Sequence, residues 1–546
     1  MLHGSVDGNI VDIINGKIFK GKVFYEEGVI TSLEESSSVG KNYILPGFVD
    51  AHVHVESSMV TPVEFSRMAV KHGTVAAVSD PHEIGNVLGV EGVRFMVDNG
   101  KQTPFRFLFG APSCVPATPF ETSGAEIDDK AIENLLDMEG VGFLAEMMNF
   151  PGVVREDSMV LKKLKIAQIK NMNVDGHAPG LSGEDLKKYV RAGINIDHEC
   201  GSKSEALEKI ELGMKILIRE GSGAKNFDEL ISLMEIAPGS LMFCTDDSHP
   251  DELAKGHINE LVKRAISAGY DCFDVLRAAS LNASRHYGLN IGLLRPHDRA
   301  DFIVVDSLEK LNVLSTYIEG ISVYENGKTQ IPSVKTKIVN AFARRQISSP
   351  DLRVVKSFDR MKVIEAIDGS LVTRMHEVFL PKDVKEVKSD PGADLLKIVV
   401  VNRYDPAMKP AIGFIRGFGI KQGAITSSIA HDSHHVICVG TSDAAMVESI
   451  NWVFRKRGGI AVHDGHSIHG LPLPIAGLMT TKSVETVGKE YMKLTRITRE
   501  LGSLLHAPFM TLSFMSLLVI PSLKIGDRGL FDVDRFSFTT LFAKST

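Results

Sequence analysis

The central half of this chain alternates short apolar segments with amphipathic segments of helical periodicity, eight times over about 250 residues. Such alternation is typical of parallel strands joined by helices, and eight repeats close a (β/α)8 barrel. We therefore predict an α/β fold with a TIM-type barrel at residues 46–294. Functional residues of such barrels lie at the carboxyl ends of the strands. The predicted strands end, in order, at His54, Pro81, Cys114, Glu146, His177, His198, Glu220 and Asp246.

Two β-rich segments flank the predicted barrel. Turn signals such as Asn15-Gly16 divide the first 45 residues into short strand-like segments, and the same texture returns at residues 321–327. We predict that residues 1–45 and 295–340 form one discontinuous β-sandwich domain. The character changes again further on, and we predict an additional C-terminal α/β domain at residues 341–546.

Composition and charge exclude several classes of protein. The five cysteines are scattered and form no C-x-x-C pair, which argues against a disulfide framework or a cysteine zinc cluster. A formal net charge of -7 argues against a general nucleic-acid binder, which usually presents a basic face. No secretory signal is recognisable, and the apolar stretch at 509–523 is too short to cross a bilayer and is expected in the core. We expect a cytoplasmic protein without nucleic-acid or membrane partners.

The first predicted barrel strand ends in His52-Val53-His54. Because alternate side chains of a strand point to the same side, both imidazoles would face one side of the sheet, and neutral imidazole is a common metal ligand. One such strand end is commonplace and equally fits a polar residue at a loop entrance. A whole series in barrel order is difficult to explain without a metal centre. The series comprises His52, His54, Glu146, His177, His198 and Asp246.

The order of these residues resembles the amidohydrolase superfamily, which carries H-x-H on strand one, lysine or glutamate on strand four, histidines on strands five and six, and aspartate on strand eight. Strand four contains no lysine between Val141 and Phe150, so Glu146 would replace a carboxylated lysine. Longer motifs resemble the adenine deaminase family over nearly the whole chain. These are Asp80-Pro-His-Glu-Ile-Gly-Asn-Val87, Ala145-Glu-Met-Met-Asn149, Gly176-His-Ala-Pro-Gly180, Asp197-His-Glu-Cys200, Arg219-Glu-Gly-Ser222, Thr245-Asp-Asp-Ser248, Ala430-His-Asp-Ser-His434 and Pro508-Phe-Met-Thr-Leu-Ser513.

The resemblance implies hydrolytic deamination of adenine to hypoxanthine and ammonia by a hydroxide activated on a binuclear metal centre. Mixed nitrogen and oxygen ligands suit Mn²⁺, Fe²⁺ or Zn²⁺, and the family is associated with manganese or iron. Adenine would be the small-molecule partner, and we expect a homo-oligomer, namely a dimer. The implied ligand sets are His52, His54, Glu146 and Asp246 for one cation, and Glu146, His177 and His198 for the other.

The implied reaction needs a proton acceptor for the attacking water and a proton donor for a ring nitrogen of the base. Asp246 is the candidate to accept the water's proton and pass it to the leaving amine. Glu83 and Glu199 are the candidate donors, although Glu83 equally fits a carboxylate paired with a neighbouring basic group. His82 would orient the site or cap a loop. The candidates that shape the base pocket at the end of strand seven are Arg219, Glu220 and Ser222, of which Arg219 equally fits a structural ion pair.

Two histidine clusters lie in the C-terminal region, at residues 431–435 and 463–469. A second metal site, a loop that closes over the barrel mouth, and a dimer contact are alternative interpretations. Two other functions are also open. An amidohydrolase acting on a cyclic amide or another aminated base would fail to release ammonia selectively from adenine. A catalytically silent scaffold would have lost the ligand set, which is intact here.

Overall fold

The computed structural model describes residues 3–37 and 40–543, and the chain divides into two compact units. No helix within the described residues combines the length and apolar character needed to span a bilayer. The first unit comprises the chain up to His82, Val93–Cys114 and Ile127–Thr336, and the second comprises Glu83–Gly92, Val115–Glu126 and the chain from Lys337 onward.

Strands and helices alternate over residues 48–287, as predicted, and runs of consecutive strands precede and follow this region. The strands are β1 (His3–Asp12), β2 (Lys17–Glu26), β3 (Val29–Glu35), β4 (Tyr43–Pro46), β5 (Phe48–Val53), β6 (Thr74–Ser79), β7 (Arg106–Ala111), β8 (Val141–Met147), β9 (Asn173–Gly176), β10 (Ile196–Asp197), β11 (Lys215–Arg219), β12 (Leu241–Cys244), β13 (Phe302–Val305), β14 (Val313–Ile318), β15 (Ile321–Glu325) and β16 (Lys328–Thr329). The helices are α1 (Pro62–Ala69), α2 (His82–Leu88), α3 (Val90–Gly100), α4 (Asp129–Leu136), α5 (Phe150–Val154), α6 (Ser158–Ile169), α7 (Gly183–Arg191), α8 (Lys203–Glu211), α9 (Phe227–Leu230), α10 (Pro250–Leu253), α11 (Ile258–Ser267), α12 (Cys272–Leu276) and α13 (Asn282–Tyr287).

The β-rich segments on either side of the barrel form one sheet of eight strands, in the order β16-β15-β14-β13-β4-β1-β2-β3. The two segments meet at β4, which runs parallel to β1 and antiparallel to β13, with Phe302 opposite Pro46. Apolar side chains such as Ile10, Val23 and Phe302 bury one face of this sheet. The discontinuous β region of the predicted fold is therefore confirmed.

Strands β5 to β12 form the predicted barrel. Strands β5–β9 and β10–β12 are two parallel sheets. Asn195 donates a backbone hydrogen bond to Val174 (3.2 Å) between β9 and β10, and Asp246 donates one to the carbonyl of His52 (2.9 Å) between β12 and β5. Every residue of β5 is buried, as expected for a parallel strand covered on both faces. This closure brings the first and last ligand candidates side by side.

The second unit contains the predicted C-terminal α/β domain, whose main sheet has the order β18-β17-β20-β19-β22-β21-β23-β24, with β28 also paired to β17. Helix α14 packs Met446, Ile450 and Val453 on this sheet. Residues 509–518 of the apolar stretch are buried, as predicted, and include most of α16, whereas Val519 is 42% exposed. The elements are β17 (Arg360–Glu365), β18 (Arg374–Phe379), β19 (Leu396–Val401), β20 (Ala411–Arg416), β21 (Ala424–Ser427), β22 (Val436–Gly440), β23 (Gly459–His463), β24 (Ile468–Pro472), β25 (Leu523–Gly526), β26 (Gly529–Asp532), β27 (Ser537–Phe538), β28 (Phe542–Ala543), α14 (Asp443–Lys456), α15 (Val484–Glu500) and α16 (Pro508–Ser513).

Candidate metal centre

The six ligand candidates converge at the carboxyl end of the barrel, because each lies at or just after the end of its strand. All are buried except His177, whose side chain is 27% exposed. The participating strands are β5, β8, β9, β10 and β12, so residues separated by nearly 200 positions become neighbours. The six are His52, His54, Glu146, His177, His198 and Asp246.

Glu146 occupies the centre of this cluster. Its Oε2 lies 2.7 Å from Nδ1 of His177 and 3.3 Å from Nε2 of His198, while its Oε1 lies 3.4 Å from Nε2 of His54. Burial alone raises the pKa of this carboxyl, but His177 and His198 outweigh it and hold the pKa well below the usual value. Glu146 is therefore an ionised carboxylate with one oxygen directed to each side of the cluster.

His52, His54 and Asp246 form one side of the cluster. The two Nε2 atoms of the histidines are 3.2 Å apart, and Oδ1 of Asp246 lies 3.5 Å from Nε2 of His52 and 3.2 Å from that of His54. Ligand atoms at about 2.1 Å from one shared cation are roughly 3.0–3.4 Å from one another, so this spacing fits a divalent ion. Nδ1 of His54 lies 3.0 Å from the carbonyl oxygen of Asp80, and donation of its proton there directs the Nε2 lone pair into the cluster.

His82 also reaches the cluster, with Asp80 beside it. Nδ1 of His82 lies 3.2 Å from Oδ2 of Asp80 and 3.3 Å from Oε1 of Glu146. His54, Asp80, His82 and Glu146 offer ligand atoms that all lie within 4.8 Å of one another. Asp80 was not among the predicted site residues, although its position just after β6 is the same signal that identified the others.

Arg219 is engaged by two carboxylates of the site. Its Nη1 lies 2.8 Å from Oδ2 of Asp246, and its Nη2 donates to Oε2 of Glu199 at 3.0 Å while Nη1 contacts the other Glu199 oxygen. Burial opposes ionisation of Asp246, but Arg219 and His52 hold its pKa well below the usual value. Burial likewise opposes ionisation of Glu199, whose pKa is nevertheless lowered by His177 and Arg219. Both carboxyls are therefore charged at neutral pH.

Glu220 and Ser222 are engaged by neighbouring elements. Oε2 of Glu220 lies 2.7 Å from Nη1 of Arg264 on α11. Ser222 donates to Glu252 on α10 at 2.8 Å and accepts a hydrogen bond from the backbone of His249 at 2.9 Å. Oε2 of Glu220 also lies 3.7 Å from Nζ of Lys225, in the loop after β11. The two side chains thus connect the end of β11 to α11, to α10 and to the loop before α10.

Within the second unit, Glu83 is held by two histidines of the loop between β21 and β22. Its Oε1 lies 2.7 Å from Nδ1 of His431, and its Oε2 is hydrogen-bonded to Nε2 of His434. Nδ1 of His434 accepts a hydrogen bond from the backbone of Ala430 (3.3 Å), and burial lowers the His434 pKa to about 4. His434 is therefore neutral with its proton on Nε2, which it donates to Glu83. Pairing with a basic group was one of the two alternatives for Glu83, and the structure gives His431 and His434 as its partners, which no sequence pattern indicated.

The second histidine cluster pairs with local acids. His463 on β23 lies 3.2 Å from Oε2 of Glu448, and His469 on β24 lies 2.8 Å from Oδ2 of Asp464. Asp464 also accepts backbone hydrogen bonds from His466 and Ser467 at 2.8 Å. The Asp464 contacts organise the β23–β24 hairpin, whereas the contact of His463 with Glu448 connects β23 to α14.

Family models match both parts of the chain. Residues 43–329 match the amidohydrolase family, and residues 370–537 match the adenine deaminase C-terminal domain. The barrel with its ligand cluster thus defines a metal-dependent hydrolase of the amidohydrolase class.

Curated relatives narrow this class further. The adenine deaminase of Salinibacter ruber is 54% identical, with the alignment covering 98% of this chain and 99% of that protein. The adenine deaminase of Methanosarcina mazei is 51% identical, with the same coverage, and that of a Sulfurovum species is 51% identical over 97% of this chain and 98% of that protein. The chain belongs to the adenine deaminase family.

Proposed function

We propose that this protein hydrolyses adenine to hypoxanthine and ammonia at the mouth of its barrel. The observation that carries the proposal is the convergence of six candidate nitrogen and oxygen ligands, five of them buried. The chain is also 51–54% identical to adenine deaminases over nearly its full length. The residues of the site have different proposed roles, namely metal binding, proton transfer and positioning.

Two divalent cations would be held by the converging side chains, and we propose Mn²⁺ or Fe²⁺, with Zn²⁺ as the alternative. When bound, a divalent cation lowers the pKa of water from 15.7 to about 7 and so supplies a nucleophile at neutral pH. The central position of Glu146 supports a role as the shared ligand. The proposed sets are His52, His54, Glu146 and Asp246 for one cation, and Glu146, His177 and His198 for the other.

Asp246 is the proposed acceptor of the attacking water's proton. Arg219 keeps this carboxylate ionised and oriented through a 2.8 Å contact to Oδ2, which leaves Oδ1 directed toward His52 and His54. A fixed carboxylate in a buried site serves as a general base and can then return the proton to the departing amine.

Glu83 is the proposed donor of the proton that a ring nitrogen must gain as C6 becomes tetrahedral. Glu199 is the weaker candidate because its bidentate contact with Arg219 favours the charged form. Glu83 instead contacts two imidazoles, of which His434 is neutral and only donates a hydrogen bond. His431, with Nδ1 at 2.7 Å from Oε1 of Glu83, is the side chain that can pass a proton to it. This arrangement supports resupply of a proton to Glu83 after each turnover.

The remaining predicted site residues have positioning roles in this proposal. His82 orients Glu146 through their 3.3 Å contact. Arg219 orders Asp246 and Glu199, and Glu220 and Ser222 brace the strand-seven side of the base pocket through α11 and α10.

Ammonia release from a panel of nucleobases tests the proposal. The purified protein is loaded with Mn²⁺ or Fe²⁺ and supplied with adenine, guanine or cytosine, and hypoxanthine is quantified by chromatography. Ammonia and hypoxanthine in equal amounts from adenine alone are the expected result. Release from another base but not from adenine would overturn the assignment. Loading with each metal in turn identifies the preferred cation.

We also propose that the protein acts as a homodimer in the cytoplasm. Light scattering coupled to size-exclusion chromatography measures the mass of the assembly against the 59.6 kDa of one chain. Cell fractionation followed by immunoblotting measures the location.

A further inference from the structure

Lys209 is a fully buried lysine that takes no part in the converging cluster. It lies on α8, has no exposed surface, and donates to the carbonyl of Ala178 (2.7 Å), to Oδ2 of Asp197 (3.2 Å) and to Oε1 of Glu205 (2.8 Å). Burial opposes the charge, but Asp197 outweighs it and raises the Lys209 pKa. An ammonium has three donors, and all three are used here. Lysine is almost never buried unless paired, so these contacts justify its position.

Asp197 connects Lys209 to both loops that carry histidine ligand candidates. It directly precedes His198, and its Oδ1 accepts a hydrogen bond from the backbone of Glu199 at 2.6 Å. Its Oδ2 accepts one from the backbone of Ala178 at 3.0 Å, the residue that follows His177. One buried carboxylate thus ties the chain after β9 to the chain after β10.

Glu205 adds a second connection between the same loops. Its Oε1 accepts a hydrogen bond from the backbone of Gly180 at 2.8 Å, and its Oε2 accepts one from that of Gly201 at 3.1 Å. Glu205 and Lys209 lie one turn apart on α8, so the helix presents both groups to the loops together. Five backbone groups near the two histidines, four N–H groups and one carbonyl, are therefore hydrogen-bonded to three charged side chains.

We propose that Lys209, Asp197 and Glu205 form a positioning cluster that sets the spacing between His177 and His198. The inference rests on the proposed function, because it assigns these two histidines to one cation shared with Glu146. Their rings are 5.4 Å apart, and both contact the same oxygen of Glu146. His177 lies on the more exposed side, so its loop depends on tethers more than on packing. Metal sites require their ligands to be held to within about 0.5 Å.

Three variants test the cluster, each measured by Mn²⁺ titration calorimetry, bound metal per chain, melting temperature, and kcat and KM for adenine. Glu205→Gln weakens the loop tethers from a half-buried position and is the mildest change. Lys209→Met leaves Asp197 buried without its counter-charge. The double variant Asp197→Asn/Lys209→Met removes both charges together and so avoids an unpaired buried carboxylate. Lys203→Met, on the same helix, is the matched control.

In Glu205→Gln and in the double variant, we expect Mn²⁺ to bind one site about 10–100-fold more weakly, as found when supporting residues of metal ligands are lost. KM should stay within about threefold, and excess Mn²⁺ should restore most of kcat. Restoration of kcat by excess Mn²⁺ indicates that the cluster positions the metal ligands. If the variants were only destabilised in general, added Mn²⁺ would not restore kcat. Lys203→Met should match the unmodified protein in every measurement.

Unchanged Mn²⁺ affinity in both Glu205→Gln and the double variant would overturn the inference, as would a loss of kcat that excess Mn²⁺ leaves uncorrected. Unfolding of Lys209→Met alone would agree with its buried charge and leave the decision to the other two variants. Failure of the proposed function has a different signature, because the unmodified protein would then release no ammonia from adenine. The Mn²⁺ affinities of the variants and the unmodified protein, compared by calorimetry, would still test the cluster.

Discussion

Replacing Glu146 by glutamine is the sharpest test of the metal centre. Glutamine keeps the shape of the side chain but replaces one carboxylate oxygen by an amide nitrogen, which offers no lone pair to a cation. Both oxygens of Glu146 face other candidate ligands in the native site, with Oε2 at 2.7 Å from Nδ1 of His177 and Oε1 at 3.4 Å from Nε2 of His54. In the proposed centre, the loss of either oxygen would deprive one cation of a ligand and both cations of the shared negative charge.

The size of the effect follows from this geometry. Removing a residue that merely supports a metal ligand weakens metal binding or activity by 10–100-fold, so removing a shared ligand should reach at least the upper end of that range. A 100-fold loss corresponds to about 2.8 kcal/mol. We expect Glu146→Gln to retain at most one tightly bound cation per chain after dialysis, with kcat below about 1% of the native value.

Elemental analysis by mass spectrometry, Mn²⁺ titration calorimetry and ammonia release measure these quantities. Glu64→Gln is the matched control, since Glu64 is also a buried glutamate of the first unit and pairs with Arg67 at 3.1 Å on α1. The control should keep both cations. An active Glu146→Gln protein with two full equivalents of metal would refute the reasoning.

Three further predictions concern charged groups. Asp246→Asn should lower kcat by about 10²–10⁴-fold while the folded state persists in circular dichroism, and an unchanged kcat would remove its role as base. Arg219→Met should destabilise the protein by about 3–5 kcal/mol in urea unfolding, because it removes the guanidinium that Asp246 and Glu199 share in a largely buried site. A change below about 1 kcal/mol would contradict that cost. Burial lowers the Lys524 pKa to about 7 in the folded state, whereas an unfolded lysine keeps its proton to about pH 10.4. The unfolded state therefore binds more protons between these values, and stability should rise with pH there by up to about 1.4 kcal/mol per pH unit. Melting temperatures from pH 7 to 9 should show this rise in the native protein and a flatter profile in Lys524→Met, and parallel profiles would refute it.

The barrel was predictable because its signal is local and repeated. Each strand is a short apolar run, and the parallel topology sends the carboxyl end of every run to the same edge. His52, Glu146 and Asp246 could therefore be placed together without knowledge of any contact, and the structure brings all six candidates into one cluster. Asp80 directly follows β6 and obeys the same rule, but the predicted end of that strand was Pro81, one residue later.

Strand periodicity did not predict which side chains pair with one another. Arg219 fitted either a base pocket or an ion pair in the sequence, and only the packed structure directs it to Glu199 and Asp246. Glu83 and His434 are separated by 351 positions, and no periodicity relates them.

The sequence alone thus determined the architecture and which candidate ligands converge, since strand periodicity and barrel closure convert position along the chain into position at the barrel mouth. The tertiary structure decided which charges neutralise one another, as Lys209 does for Asp197 beneath the histidine loops. The physical reason is that a buried charge is stable only beside a partner. Packing of the whole chain decides which residue becomes that partner, and the two can be far apart in the sequence, so no local pattern indicates the pair.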